Sequence, residues 1–83
     1  MCYNVEKDVR LCRVEDVKEF VKFLENKCNF DVDFSSGKYI VDAKSFMGIF
    51  SLDLSKIIKM TIHASEEESK ELIDWMNSRN LIV

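Results

Sequence analysis

The 83-residue sequence predicts an α+β fold: an open-faced sandwich whose four-stranded antiparallel sheet carries three helices on one face, in the order βαββαβα. Three observations carry this. Four short runs alternate apolar and polar residues with the period of a half-buried strand, and three others repeat apolar residues at helical spacing. A tight Ser-Ser-Gly connection joins the two middle runs, which read as a β-hairpin. Each long helix has one apolar stripe, so the helices should cover one sheet face and leave the other to solvent.

Met1, Tyr3, Val5, Val9 and Leu11 fall on odd positions and Cys2, Asn4, Glu6, Asp8 and Arg10 on even ones, which gives the first strand. Val14, Val17, Phe20, Val21, Leu24 and Cys28 follow at spacings of three and four. Glu15 and Asp16 open that run and Lys27 closes it, the charge order that suits a helix dipole. Phe30, Val32 and Phe34 alternate with Asp31 and Asp33, and Ser35-Ser36-Gly37 turns the chain into residues 38–42.

Residues 45–52 read as a short helix with Ser45 as its N-cap, although Gly48 weakens the interior by roughly 1 kcal/mol against alanine. Its inner stripe should be Ile49 and Leu52, leaving Met47 and Phe50 at the surface. Ile58, Met60 and Ile62 alternate with Lys59, Thr61 and His63 to form the fourth strand. Ser65-Glu66-Glu67-Glu68 then matches a capping box ahead of Leu72, Ile73, Trp75 and Met76. Trp75 should close the edge of the core.

Composition narrows the function. Apolar residues make up 47% and charged ones 33%, the balance of a chain that folds. At 83 residues one domain spanning 1–83 is expected, too small for a deep enclosed site and suited to binding or carrying. The net charge of −3 and the absence of a Lys/Arg cluster argue against nucleic acid. No apolar run reaches membrane-spanning length and no leader-like segment opens the chain, so a cytoplasmic protein without a membrane partner is expected. Cys2, Cys12 and Cys28 lack paired spacing and there is a single histidine. Neither a disulfide framework, a metal site nor imidazole-based catalysis is therefore expected. The chain is read as a non-enzyme without a cofactor.

The richest segment is 37–52, above all Lys44-Ser45-Phe46-Met47-Gly48-Ile49-Phe50-Ser51-Leu52. It sets a serine at the mouth of an apolar helix, directly after a strand. This segment, the following Leu54-Ser55-Lys56 and the element order closely resemble HPr, the small phosphocarrier of the bacterial sugar phosphotransferase system. Residue-level similarity concentrates between Phe30 and Ala64. The segment is similar to the regulatory-serine region of HPr and of Crh, its catabolite-repression paralogue. The resemblance implies phosphorylation of Ser45 by HPr kinase/phosphorylase, with Lys44, Phe46, Met47 and Phe50 meeting a transcriptional regulator or another protein partner.

One departure is as informative as the match. The family transfers phosphate on a histidine that opens the first helix, and this chain has Leu11-Cys12-Arg13-Val14-Glu15-Asp16 there. No register supplies a histidine, and Glu15 and Asp16 would repel a phosphoryl group. The chain also carries one more residue between Gly37 and Ser45 than the family pattern, which a bulge or a longer strand would absorb.

A regulatory HPr-like protein is the leading expectation. The alternatives are a constitutive interaction module that uses no phosphate, or a phosphoryl carrier using Cys12 or His63. A monomer or a dimer that exchanges its N-terminal strand is expected.

Overall fold

The computed structural model describes residues 4–83, so Met1, Cys2 and Tyr3, the beginning of the expected first strand, lie outside the described residues. The elements are β1 (Val5–Val9), α1 (Val14–Lys27), β2 (Val32–Ser36), β3 (Tyr39–Asp42), α2 (Phe46–Phe50), β4 (Ile58–Ile62) and α3 (Glu66–Ser78). The four strands form one antiparallel sheet in the order β1-β4-β2-β3, and the expected α+β architecture is the one observed.

Period-two alternation sets the sheet's two faces. Ile58, Met60 and Ile62 of the central strand β4 are fully buried, as are Val32 and Phe34 of β2, whereas Lys59 is exposed. Register aligns them: Val5 and Val32 flank Ile62, and Phe34 lies opposite Met60. The helices complete the core with Val17, Phe20, Val21 and Leu24 from α1, Ile49 from α2, and Leu72 and Met76 from α3. Phe20 stacks on Phe34 with ring centroids 5.1 Å apart, joining α1 to the sheet. Truncating such a ring to alanine costs about 3–5 kcal/mol.

Residues of other types set the ends of these elements. Gly37 has φ +61° in the two-residue turn between Ser36 and Tyr39, a conformation glycine adopts without a Cβ clash. The hairpin ladder runs without interruption from Asp33 opposite Asp42 to Ser36 opposite Tyr39. The extra residue before Ser45 is therefore not a bulge within this ladder. At α3 the capping box is complete, with Ser65 Oγ accepting from the Glu68 amide and the Glu68 carboxylate accepting from the Ser65 amide.

The C-terminus of α3 closes by a device the sequence reading did not include. Asn80 takes a left-handed φ of 59°, the Leu81 amide donates to the Met76 carbonyl and the Asn80 amide to the Asn77 carbonyl, which is a Schellman motif. The turn drives Leu81 into the core and lays the last residues along β1, where Ile82 bridges to Val9. Trp75 sits at the edge of the core as expected, stacked on Phe23 at 4.7 Å and covered by the Arg79 guanidinium. Arg79 also pairs with Glu19 of α1, which ties the two long helices at that edge.

Candidate functional site

The Ser45 segment is positioned by β3 on one side and by the core on the other. The Asp42 carboxylate accepts from the Lys44 amide at 2.9 Å and the Asp42 carbonyl accepts from the Ser45 amide at 2.9 Å. This Asx-type turn swings the chain out of the strand and starts α2 at once. Ser45 has extended backbone, φ −96° and ψ 107°, and its Oγ accepts from the Gly48 amide at 3.1 Å. It is the N-cap of α2, and its side chain remains exposed.

Gly48 brings α2 close against β3. A Cβ there would lie 3.1 Å from Ser45 Oγ, 3.2 Å from Val41 Cβ and 3.3 Å from Ser45 Cβ. The glycine thus allows the cap and the helix–strand contact to coexist. Ser51 finishes the helix, its Oγ donating to the Gly48 carbonyl at 2.6 Å. Ile49 and Leu52 point into the core, leaving the other apolar side chains of α2 in three different environments.

Met47 is 82% exposed and Phe50 is 39% exposed, while Phe46 is half-buried and packs against the core. Phe46 and Phe50, one turn apart, stack with centroids 5.5 Å apart. Phe46 also lines a shallow groove with Lys18, Val21, Lys22 and Glu25 of α1, so it anchors the patch while Met47 and Phe50 present it. Lys44 is half-buried. Its ammonium partly offsets the rise that burial and Glu71 impose on the Cys28 thiol pKa, which stays above its usual value.

The other candidates lie apart from one another. In the β1–β4 register, Val5 faces Ile62 at one end and Val9 faces Ile58 at the other. His63 follows β4 at the first end, and Cys12 follows β1 at the second. His63 is exposed and both its ring nitrogens are engaged, Nδ1 with Asn4 Oδ1 at 3.0 Å and Nε2 with Asp33 Oδ2 at 2.7 Å. Cys12 is exposed beside Arg10, Leu54 and Ser55. Near it the Arg13 guanidinium reaches back to the largely buried Asp16 at 3.3 Å, satisfying that carboxylate within α1's first turn.

Two features were not read from the sequence. The first is the Phe46–Phe50 stack, for which the i,i+4 spacing of the two rings was the available signal. The second is an open concavity of about 810 Å³ where the β2–β3 turn meets the loop after α2, with Lys38, Lys56 and Lys59 on its rim. These lysines are scattered in sequence, and only the folded chain brings them together. Asp53 lies on the same rim. Its side chain accepts from the Ser55 hydroxyl and amide, which hold its pKa below the usual carboxylate value, with Lys56 adding a smaller effect.

Among the described residues no group of three or more His, Cys, Asp or Glu side chains could hold a metal ion, and no helix is long and apolar enough to cross a membrane. Comparison of the chain with protein-family models, curated proteins and solved structures finds no match.

Proposed function

We propose that the chain is a cytoplasmic regulatory interaction protein of the HPr-like, Crh-like type, in which phosphorylation of Ser45 controls binding through Met47 and Phe50. It is neither an enzyme nor a histidine phosphocarrier. The observation that carries this reading is the exposed Ser45 hydroxyl on the same short helix as a methionine 82% exposed to solvent. An unbranched, flexible thioether on a surface is a common element of adaptable protein contacts. The Phe50 ring on the same helix adds area, and the half-buried Phe46 on which it stacks holds it against the core.

A phosphoryl group suits this position. It adds about −1.5 to −2 charges, and the first-turn amides of Phe46 and Met47 have no acceptor within the helix. No acidic residue occupies the first turn of α2, and Lys44 precedes the serine. The first turns of α1 and α3 instead carry Glu15 and Asp16, and Glu66, Glu67 and Glu68. The partners implied by the resemblance are HPr kinase/phosphorylase and a protein such as a transcriptional regulator.

Titration against purified HPr kinase/phosphorylase tests the surface. Met47→Asp should weaken binding by about tenfold or more, as loss of an interface anchor does. Its folding stability should stay within about 0.5 kcal/mol of the native chain, because the side chain is already in water. Native-like binding by Met47→Asp and by Phe50→Asp would remove this surface from the reading.

A further inference from the structure

We infer that β3 is the seat of a symmetric dimer, in which a second copy of this chain adds its own β3 antiparallel to the first, with Ile40 opposite its counterpart. β3 is an edge of the sheet. It presents Tyr39, 73% exposed, and Ile40, 71% exposed, where unpartnered edges are ordinarily blunted by charge, proline or cover.

The opposite edge is blunted. Lys7 of β1 sits in phase with Val5 and Val9, which places a charge on the core-facing register. The C-terminal residues then cover that strand, with the Arg10 amide donating to the Leu81 carbonyl and the Val83 amide to the Asp8 carbonyl. Among the described residues, no other strand or tail pairs with the outer edge of β3, and its own charge, Asp42, stands out of phase with the core-facing Val41.

Backbone alternation determines what β3 offers. The tight turn pairs Ser36 with Tyr39, and the Ala43 amide donates to the Val32 carbonyl at 2.9 Å. Between these points Tyr39, Val41 and Ala43 bond inward to β2, so Ile40 and Asp42 turn their amide and carbonyl groups outward, while Lys38 lies in the turn just ahead of the strand. The Asp42 carbonyl accepts from the Ser45 amide, whereas both groups of Ile40 face solvent.

Side-chain charge then identifies the occupant and its register. Lys38-Tyr39-Ile40-Val41-Asp42 is complementary to itself when run antiparallel about Ile40. Lys38 meets Asp42 of the second copy, twice by symmetry, and Tyr39 meets Val41. A centre at Val41 would set Lys38 against Lys44, and one at Tyr39 would set it against Ile40. Lys38 makes no ion pair among the described residues, so its charge is available to the other copy. The two-fold axis stands perpendicular to the sheet and keeps both helix layers on one side. This dimer does not depend on the phosphorylation of Ser45.

Sedimentation equilibrium over a concentration series up to millimolar protein, with circular dichroism as the check of folding, tests the inference. The native chain should show a monomer–dimer equilibrium. Lys38→Asp should weaken it by about tenfold or more, because two cross-strand attractions become repulsions, and Asp42→Lys should do the same. An equimolar mixture of the two variants should recover the dimer, since each new aspartate then faces a new lysine and each native lysine a native aspartate. A native chain that stays monomeric, or a dimer as tight in Lys38→Asp as in the native chain, would overturn the inference. Lys38→Asp decides the matter even if Asp42→Lys disturbs the turn that Asp42 caps.

Discussion

Ser45 serves structure and surface chemistry through one atom. Its Oγ closes the first turn of α2 on the Gly48 amide while the residue stays in water, and the cap depends on what Gly48 lacks. Alanine at position 48 would gain about 1 kcal/mol of helix propensity. It would also press a methyl group against the Ser45 side chain and the Val41 Cβ at once, and overpacking of that kind costs about 1–3 kcal/mol. Gly48→Ala should therefore lower stability by about 1 kcal/mol in denaturant unfolding. A gain instead would mean that α2 can lift off β3 freely. The N-cap role of Ser45 was legible from the residue type and the apolar run behind it. The need for Gly48 was not, because the atoms it avoids come from β3 and from the cap itself.

At the scale of elements, periodicity identified the strands and helices because each buries one face against the same core. Ile58, Met60 and Ile62, or Val17, Phe20, Val21 and Leu24, announce themselves by spacing alone. The C-terminal tail does not, since Leu81-Ile82-Val83 is too short to show a period. Its docking rests on the left-handed Asn80 and on hydrogen bonds to β1. Truncation after Asn80 should cost about 1.5–3 kcal/mol from the buried Leu81 side chain alone. It should also speed hydrogen exchange at the Arg10 amide, which loses its acceptor. Unchanged exchange at Arg10 would show that the tail does not protect the edge of β1.

For the whole molecule, the sandwich separates its two faces by chemistry. One face of the sheet is sealed by the helices, and the other carries Asp33, Lys59 and Thr61. The surfaces with unspent binding capacity, Met47 with Phe50 on α2 and the edge of β3, flank the contact at Gly48 and Val41. The overall architecture could be read from pattern because it needs only alternation, stripes and one tight turn. The separation of Cys12 from His63 could not, because it follows from the β1–β4 register.

The function proposed for α2 requires that Ser45 accept a phosphoryl group on the folded chain. Incubation of the native chain with HPr kinase/phosphorylase and ATP, followed by tandem mass spectrometry of its peptides, tests it most directly. A single phosphoryl group should appear on Ser45 and disappear in Ser45→Ala. No modification, or one carried by a different residue, would contradict it.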